Sequence, residues 1–413
     1  MNVIADLHLH SRFARACSKS ITLQNLEKYA RLKGLTLLGT GDFQHPKWLE
    51  ELKANLSDNG KGVLCTKTGY PFVLQTEISL IYSQDGKGRR VHNVVLAPNF
   101  EVADQIVEYL SSKGRLDYDG RPIFNIPCPA FVESLKKISP DVEIIPAHAW
   151  TPWFSVFGSM SGFDSLQACF QDQTKEIHAI ETGLSSDPAM NWRLSQLDNV
   201  ALISSSDSHS HWPWRIGREA TVFDMKELSY AELVRAIKEN AITETLEFYP
   251  EEGKYHFDGH RSCGTCLSPK ESLAMKKICP GCKKPVTVGV ASRVDALADR
   301  ENTKPSNARP FRNLIPLSEI ISHVTGSPIA SKKVWEQYFK LVGAFGNELA
   351  VLSAKAEDLA KHVDQRIAKA IATVSTVAWK PGYDGVYGIP LFEGAAHEEK
   401  PRIVKQKDLA SYQ

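Results

Sequence analysis

ADLHLHSRF (residues 5–13) places two histidines one residue apart, directly after the apolar run Val3-Ile4-Ala5. The run reads as a short buried strand, and side chains two apart on a strand share a face. His8 and His10 therefore point the same way, with Asp6 beside them. Two readings stand at this point: a solvated polar strand end, or a pair of neutral imidazoles offered to a divalent metal. What terminates the other strands decides between them.

Residues 1–245 alternate short apolar runs with longer helix-like stretches. The strand candidates are Val3-Ile4-Ala5, Leu35 to Leu38, Pro71 to Gln75, Val91 to Ala97, Glu143-Ile144-Ile145, Ile177 to Thr182 and Ala201 to Ser204. Among the helical segments, Leu23 to Lys33 carries Leu26, Tyr29, Ala30 and Lys33 at helical spacing. This pattern predicts an α/β architecture around a mainly parallel sheet, doubly wound or closed into a barrel. His8 and His10 end the first strand, Gly41-Asp42 the second and Glu77 the third. His148 follows Glu143-Ile144-Ile145 closely, Glu181 ends the next strand, and Asp207 with His209 ends the last. Residues at the carboxyl ends of barrel strands converge on one mouth. So many separate ends carrying His, Asp or Glu are hard to explain as solvated termini.

The chain has 413 residues, enough for two or three domains, with 42% hydrophobic and 23% charged residues, as in an ordinary globular protein. A formal net charge of +1 gives no global basic signal, so any nucleic-acid contact must come from a local patch. The start of the chain lacks the basic and apolar regions of a leader, and no run approaches the length of a membrane span, so a cytoplasmic location is expected.

Eight cysteines fall into two groups. Cys17, Cys65, Cys128 and Cys169 are scattered and read as reduced, packed thiols. Cys263, Cys266, Cys279 and Cys282 form two C-x-x-C pairs separated by twelve residues, the spacing of a structural tetrahedral zinc site. Disulfides are the weaker reading in a cytoplasmic protein. The expected organisation is a catalytic barrel over 1–245, a zinc module over 246–300, a helical DNA-binding region over 301–394 and a flexible tail over 395–413. From Ser331 the helical pattern puts Val334, Tyr338, Leu341, Phe345, Leu349 and Leu352 on one face.

His8, His10, Asp42, His45, Glu77, His92, His148, Asp207 and His209 make nine potential ligands, too many for one ion and suited to two or three clustered divalent ions. Such a cluster activates water and neutralises charge on a phosphoryl group, which favours a phosphoester substrate.

The ordered motifs "DLHLHS", an acidic residue after the next strand, a mid-domain Glu, "AHAW" and "SSDSH" resemble the polymerase-and-histidinol-phosphatase (PHP) superfamily. That resemblance implies a distorted (β/α)7 barrel with a trinuclear metal centre. More closely, "GTGDFQHPKW", "RRVHNVVLAP", "IPAHAWTPWF", "IETGLSSDP", "SSSDSHSHWPWRIGREAT", the four-cysteine module and "PGYDGVYG" resemble endonuclease Q over nearly the whole chain. The resemblance implies metal-dependent cleavage of DNA 5′ of deaminated bases (uracil, hypoxanthine, xanthine) and of abasic sites, with zinc, manganese or magnesium as the ions. It makes Asp207, His209 and Glu77 the expected catalytic residues, DNA containing deaminated or abasic nucleotides the expected partner, and a nucleoid-associated place in the cytoplasm the expected location. The chain departs from the wider PHP pattern at two places. Arg15 stands near where many members carry Ser-Asp-Gly, and Phe43 stands where a ligand histidine is usual. His45 could substitute for that histidine. Glu181 is expected behind the ligands or facing substrate.

Reading a damaged base requires an extruded nucleotide held between aromatic or apolar walls. Trp150, Trp153 and Phe154 follow His148, and Trp212 and Trp214 follow His209; each is equally readable as core packing. Arg12, Arg15 and Arg215 could hold phosphates or serve as ordinary ion-pair residues. His178, His256, His260, His323, His362 and His397 are read as lying outside the ligand cluster. Around the cysteine turns, Arg261, Lys276, Lys277, Lys283 and Lys284 read as a grip on DNA or as a solvated surface. Gln406, Leu409 and Tyr412 follow a spacing like that of peptides docking into sliding clamps, set against a plain disordered polar end. Two other functions compete: a small-molecule phosphatase on the same barrel, and a non-catalytic DNA-binding accessory. The zinc module and helical region speak against the first. The near-complete ligand set speaks against the second, because buried charges are costly unless they hold something.

Overall fold

A computed structural model describes residues 1–301 and 303–392; His397 and the clamp-like spacing at Gln406, Leu409 and Tyr412 lie outside these residues. Seven strands form a ring: β1 (Asn2–Asp6), β2 (Leu37–Gly39), β3 (Pro71–Gln84), β4 (Lys87–Ala97), β5 (Glu143–Pro146), β6 (Ala179–Glu181) and β7 (Ala201–Ile203). β1 pairs with β2 in parallel at Ala5–Leu37, and β2 with β3 in parallel at Leu38–Phe72. β4 runs antiparallel to both β3 and β5, and β6 and β7 are parallel. The two joints that close the ring are slight. Ala149 N donates to Glu181 O at 3.0 Å, and a Leu9–Ser208 bridge returns the chain to β1. The result is a distorted α/β barrel with one reversed strand.

The mainly parallel sheet expected from the sequence is thus interrupted, and the cause is local. β3 does not stop near Glu77 but continues to Gln84, and Asp85 (φ 52°) and Gly86 (φ 72°) turn it directly into β4. Two successive positive-φ residues of this kind are the favoured two-residue hairpin connection.

Val3, Leu37, Val73, Val94, Ile145, Ala179 and Ile203, one from each ring strand, belong to a single buried cluster. Beyond β1 the sheet extends through β8 (Ala220–Asp224) and β9 (Ile242–Phe248) to β10 (Phe311–Leu314). The strand β10 lies after the cysteine module in sequence, so the chain returns to the barrel before entering its last helices.

The helix α1 (Leu23–Lys33) forms where the apolar spacing predicts, capped by the Thr22 side chain on Asn25 N and ended by Gly34 in the left-handed region. The helical region begins with α2 (Leu317–Thr325) and α3 (Lys332–Phe345). The single apolar face expected from Val334 to Leu352 is broken at Gly346 (φ 91°), and Asn347 caps a new helix, α4 (Glu348–Leu352). Among the described residues no helix is long and apolar enough to cross a membrane.

Candidate metal centre

Glu77, wholly buried on β3, is the hub of the ring's mouth. Its Oε2 lies 3.1 Å from His10 Nε2 and 3.6 Å from His8 Nε2. Its Oε1 lies 2.7 Å from His92 Nδ1 and 3.1 Å from His148 Nε2. Asp207 Oδ1 completes the first set, 3.2 Å from His10 Nε2 and 3.6 Å from His8 Nε2. Two ligand groups therefore share one carboxylate: His8, His10, Glu77 and Asp207, and Glu77, His92 and His148.

The far sides of these rings are already engaged. His8 Nδ1 lies 2.9 Å from Glu181 Oε2, and His10 Nδ1 lies 2.9 Å from Asp42 Oδ1. A carboxylate on Nδ1 fixes the proton there and leaves the Nε2 lone pair directed into the centre, the arrangement that supports metal-bound histidine. Glu181 Oε2 also accepts from His148 N at 3.1 Å, so one residue registers both groups. Gly183 (φ 65°) makes that register possible, because a Cβ there would fall 2.6 Å from His148 Cα.

His8 Nε2, His10 Nε2 and Asp207 Oδ1 are buried and lack a hydrogen-bond partner. Buried polar atoms left without a partner are costly unless a cation completes them, so the donor set fits divalent ions. The electrostatics agree. Burial alone would raise the Glu77 carboxyl, but the charges of His92, Arg121 and His8 outweigh it and hold it well below the usual range. Burial would likewise lower His8, yet Glu181, Glu77 and Asp207 push it well above its ordinary value. The carboxylates demand positive charge here. Asp42 (φ 41°), His148 (φ 32°) and Asp207 (φ 46°) all sit in the left-handed backbone region, a strain that clusters at functional sites.

Of the nine expected ligands, the structure brings six into these two groups. Asp42 stands one step back, its oxygens on His10 Nδ1 and on Ser11 N at 2.6 Å. His45 belongs to neither group and stacks on Phe13 with ring centroids 4.4 Å apart. His209 lies beside His10 at 4.6 Å between rings, with Nδ1 3.1 Å from Asp207 O, and burial pushes it down to about 4.

The aromatic and arginine candidates separate. Trp150 is buried core, donating to Asn191 Oδ1 at 2.8 Å and packing on Phe157. Phe154 lies 4.8 Å from the His92 ring, and Trp153 meets Tyr255 edge-on. Trp212 and Trp214 stack 5.2 Å apart under Trp335. Arg12 is taken up by a bidentate pair with Glu51. Arg15 reaches Asp119 at 3.3 Å, and Arg215 is within electrostatic reach of Glu252 and Glu319. His178, read as structural, pairs with Glu143 at 2.7 Å.

In the cysteine module the structure gathers His260, Cys263, Cys279 and Cys282. His260, which the sequence reading set aside, takes the place expected of Cys266. His260 lies opposite Thr265 and Cys266 opposite Gly259 in a hairpin, so the pleat turns Cys266 to the other face, where its Sγ meets Pro381 O at 3.9 Å. Arg261, Lys276, Lys277, Lys283 and Lys284 are all exposed around this turn. A second residue the sequence did not signal is Arg121, whose Nη1 lies 3.1 Å from Glu77 Oε2. It sits in an irregular turn with no motif around it.

Comparison with known proteins adds to this geometry. Residues 316–374 match the family model of the MJ0043 C-terminal domain. The chain is 32% identical over 252 residues to protein MJ0043 of Methanocaldococcus jannaschii, covering 58% of this chain and 31% of that protein. It thus spans about a third of that relative's length. Two solved structures are similar throughout. The lesion-specific endonuclease PfuEndoQ from Pyrococcus furiosus is 31% identical with a TM-score of 0.85, covering 100% of both chains. Endonuclease Q in complex with a 27-mer duplex substrate carrying an abasic lesion at its active site is 30% identical with a TM-score of 0.86, covering 97% of this chain and 100% of that one.

Proposed function

The chain belongs to the endonuclease Q family, and from that premise we propose that it is a metal-dependent DNA-repair endonuclease. It hydrolyses the phosphodiester on the 5′ side of deaminated bases (uracil, hypoxanthine or xanthine) and of abasic sites. The observation that carries the reading is Glu77, whose two oxygens face two separate histidine groups with unpartnered Nε2 atoms among them.

His8, His10, Glu77 and Asp207 would hold one ion, and Glu77, His92 and His148 a second. Divalent ions held there supply Lewis-acid charge and lower the pKa of water. The chain's own residues do the rest. Glu181 and Asp42 keep the protons of His8 and His10 on Nδ1. His209 donates from Nδ1 to Asp207 O, which leaves Nε2 unprotonated and able to accept a proton at the mouth. The exposed Arg261, Lys276, Lys277, Lys283 and Lys284 form a local basic patch suited to the DNA backbone. One structural zinc would sit in the module they surround.

Incubation of the manganese- or magnesium-loaded protein with labelled duplexes tests the reading. Duplexes carrying uracil, hypoxanthine or an abasic site should be nicked, and undamaged duplex and a simple phosphomonoester should not. Turnover of the phosphomonoester with every duplex left intact would overturn it.

A further inference from the structure

Arg121 stands at the ligand cluster without belonging to either group. Its Nη1 lies 3.1 Å from Glu77 Oε2, the oxygen that also faces His8 and His10. The root of the arm is fixed. Arg121 N donates to Asp119 Oδ1 at 3.1 Å, Gln44 Nε2 donates to Gly120 O at 2.7 Å, and Ser79 N donates to Pro122 O at 3.1 Å. Gly120 allows this seating, since a Cβ there would lie 2.2 Å from Asp42 Oδ2.

The side chain is 32% exposed while Glu77 is fully buried, so the guanidinium enters the centre from the solvent side. Glu77 is the one hydrogen-bond partner of that guanidinium among the described residues. A guanidinium has five donors in a planar fork, so most of its capacity is unspent. Divalent ions in the two groups would compete with Arg121 for Glu77 Oε2. A rigidly rooted cation displaced from a carboxylate beside an ion cluster is positioned for an incoming anion, and its fork matches a phosphoryl group.

We propose that Arg121 is a catalytic residue that leaves Glu77 when the ions bind and donates to a non-bridging oxygen of the scissile phosphodiester. The proposal rests on the endonuclease reading above. It assigns Arg121 the charge that builds on those oxygens during in-line displacement, a contribution carried by preorganised donors.

Manganese-loaded Arg121→Gln and Arg121→Lys proteins test it. Three measurements apply: metal content by elemental analysis, single-turnover cleavage of an abasic duplex, and binding of orthovanadate by calorimetry. The expected result for Arg121→Gln is unchanged metal content, a cleavage rate lower by about 10²–10³-fold, and vanadate affinity weaker by about tenfold or more. Arg121→Lys should recover only a minor part of the rate, because an ammonium lacks the fork. Wild-type vanadate affinity in Arg121→Gln would overturn the proposal, as would metal loss matching the loss of rate, which would make the arginine a counter-charge for Glu77. Failure of the wild-type protein to cut any damaged duplex would sink the functional reading instead, and the vanadate measurement would still decide the role of Arg121.

Discussion

Lys33 Nζ and Glu348 Oε1 meet at 2.7 Å with both side chains almost wholly buried, joining α1 of the barrel to α4 of the helical region. The pair is fully engaged. Lys33 also donates to Pro213 O at 2.9 Å, and Glu348 accepts from Leu317 N and the Tyr338 hydroxyl, each at 2.9 Å. Pro213 lies between the stacked Trp212 and Trp214, so the contact ties barrel, tryptophan loop and C-terminal helices together. Removing one partner of a buried pair strands the other charge and costs about 3–5 kcal/mol. Lys33→Met should show that loss in denaturant unfolding, and Lys33→Met with Glu348→Gln should regain part of it. A single variant as stable as the parent would mean that the contact holds nothing.

Asp207→Asn should leave the fold intact and lower cleavage of damaged duplex by at least about a hundredfold, since even residues behind metal ligands cost 10–100-fold. The removed charge is one that His8 and His10 face directly. Thermal melting and single-turnover kinetics read the two effects separately. Wild-type kinetics in this variant would mean the centre has been assigned to the wrong residues.

Much of this centre was legible because strand ends are where chemistry collects in a barrel. His8, His10, Glu77, His148 and Asp207 stand at or just beyond strand ends in the sequence, whereas His92 lies near the start of its apolar run. Sequence spacing could not say which ligands touch an ion and which orient another ligand. Asp42 and Glu181 look equivalent to Asp207 in the sequence, yet each ends on an imidazole Nδ1. The Asp85-Gly86 dipeptide is a local hairpin signal in the sequence, and the turn reverses β4 and brings His92 to Glu77 from the opposite direction. Arg121 was invisible because only tertiary packing of an irregular loop against Gln44 and Asp42 places it.

The cysteine module offers a choice between fourth ligands. Elemental analysis should show that Cys279→Ser loses one zinc per chain while the ions of the barrel persist, with a large drop in local stability, since structural zinc supplies roughly 10 kcal/mol or more in small modules. The observed group of His260, Cys263, Cys279 and Cys282 further requires that His260→Ala lose the zinc and Cys266→Ser retain it. The reverse pattern would return the site to four cysteines.

Glu247 on β9 gives the protein a pH dependence of its own. It is wholly buried, its Oε2 accepting from the Thr182 hydroxyl at 2.9 Å and the Ser204 hydroxyl at 3.0 Å, while its Oε1 has no partner. Burial pushes the carboxyl up to about 8, against about 4.3 in an unfolded chain. The folded state therefore binds the proton more tightly than the unfolded state. The stability linked to that proton is fully present below about pH 4, and is lost as pH rises through the folded value of about 8. Glu247→Gln keeps an oxygen for both hydroxyls and cannot ionise. Its melting temperature relative to the parent should rise steadily between pH 5 and pH 9, with the largest advantage at the alkaline end. A difference that stays flat across that range would show that Glu247 does not titrate differently on folding.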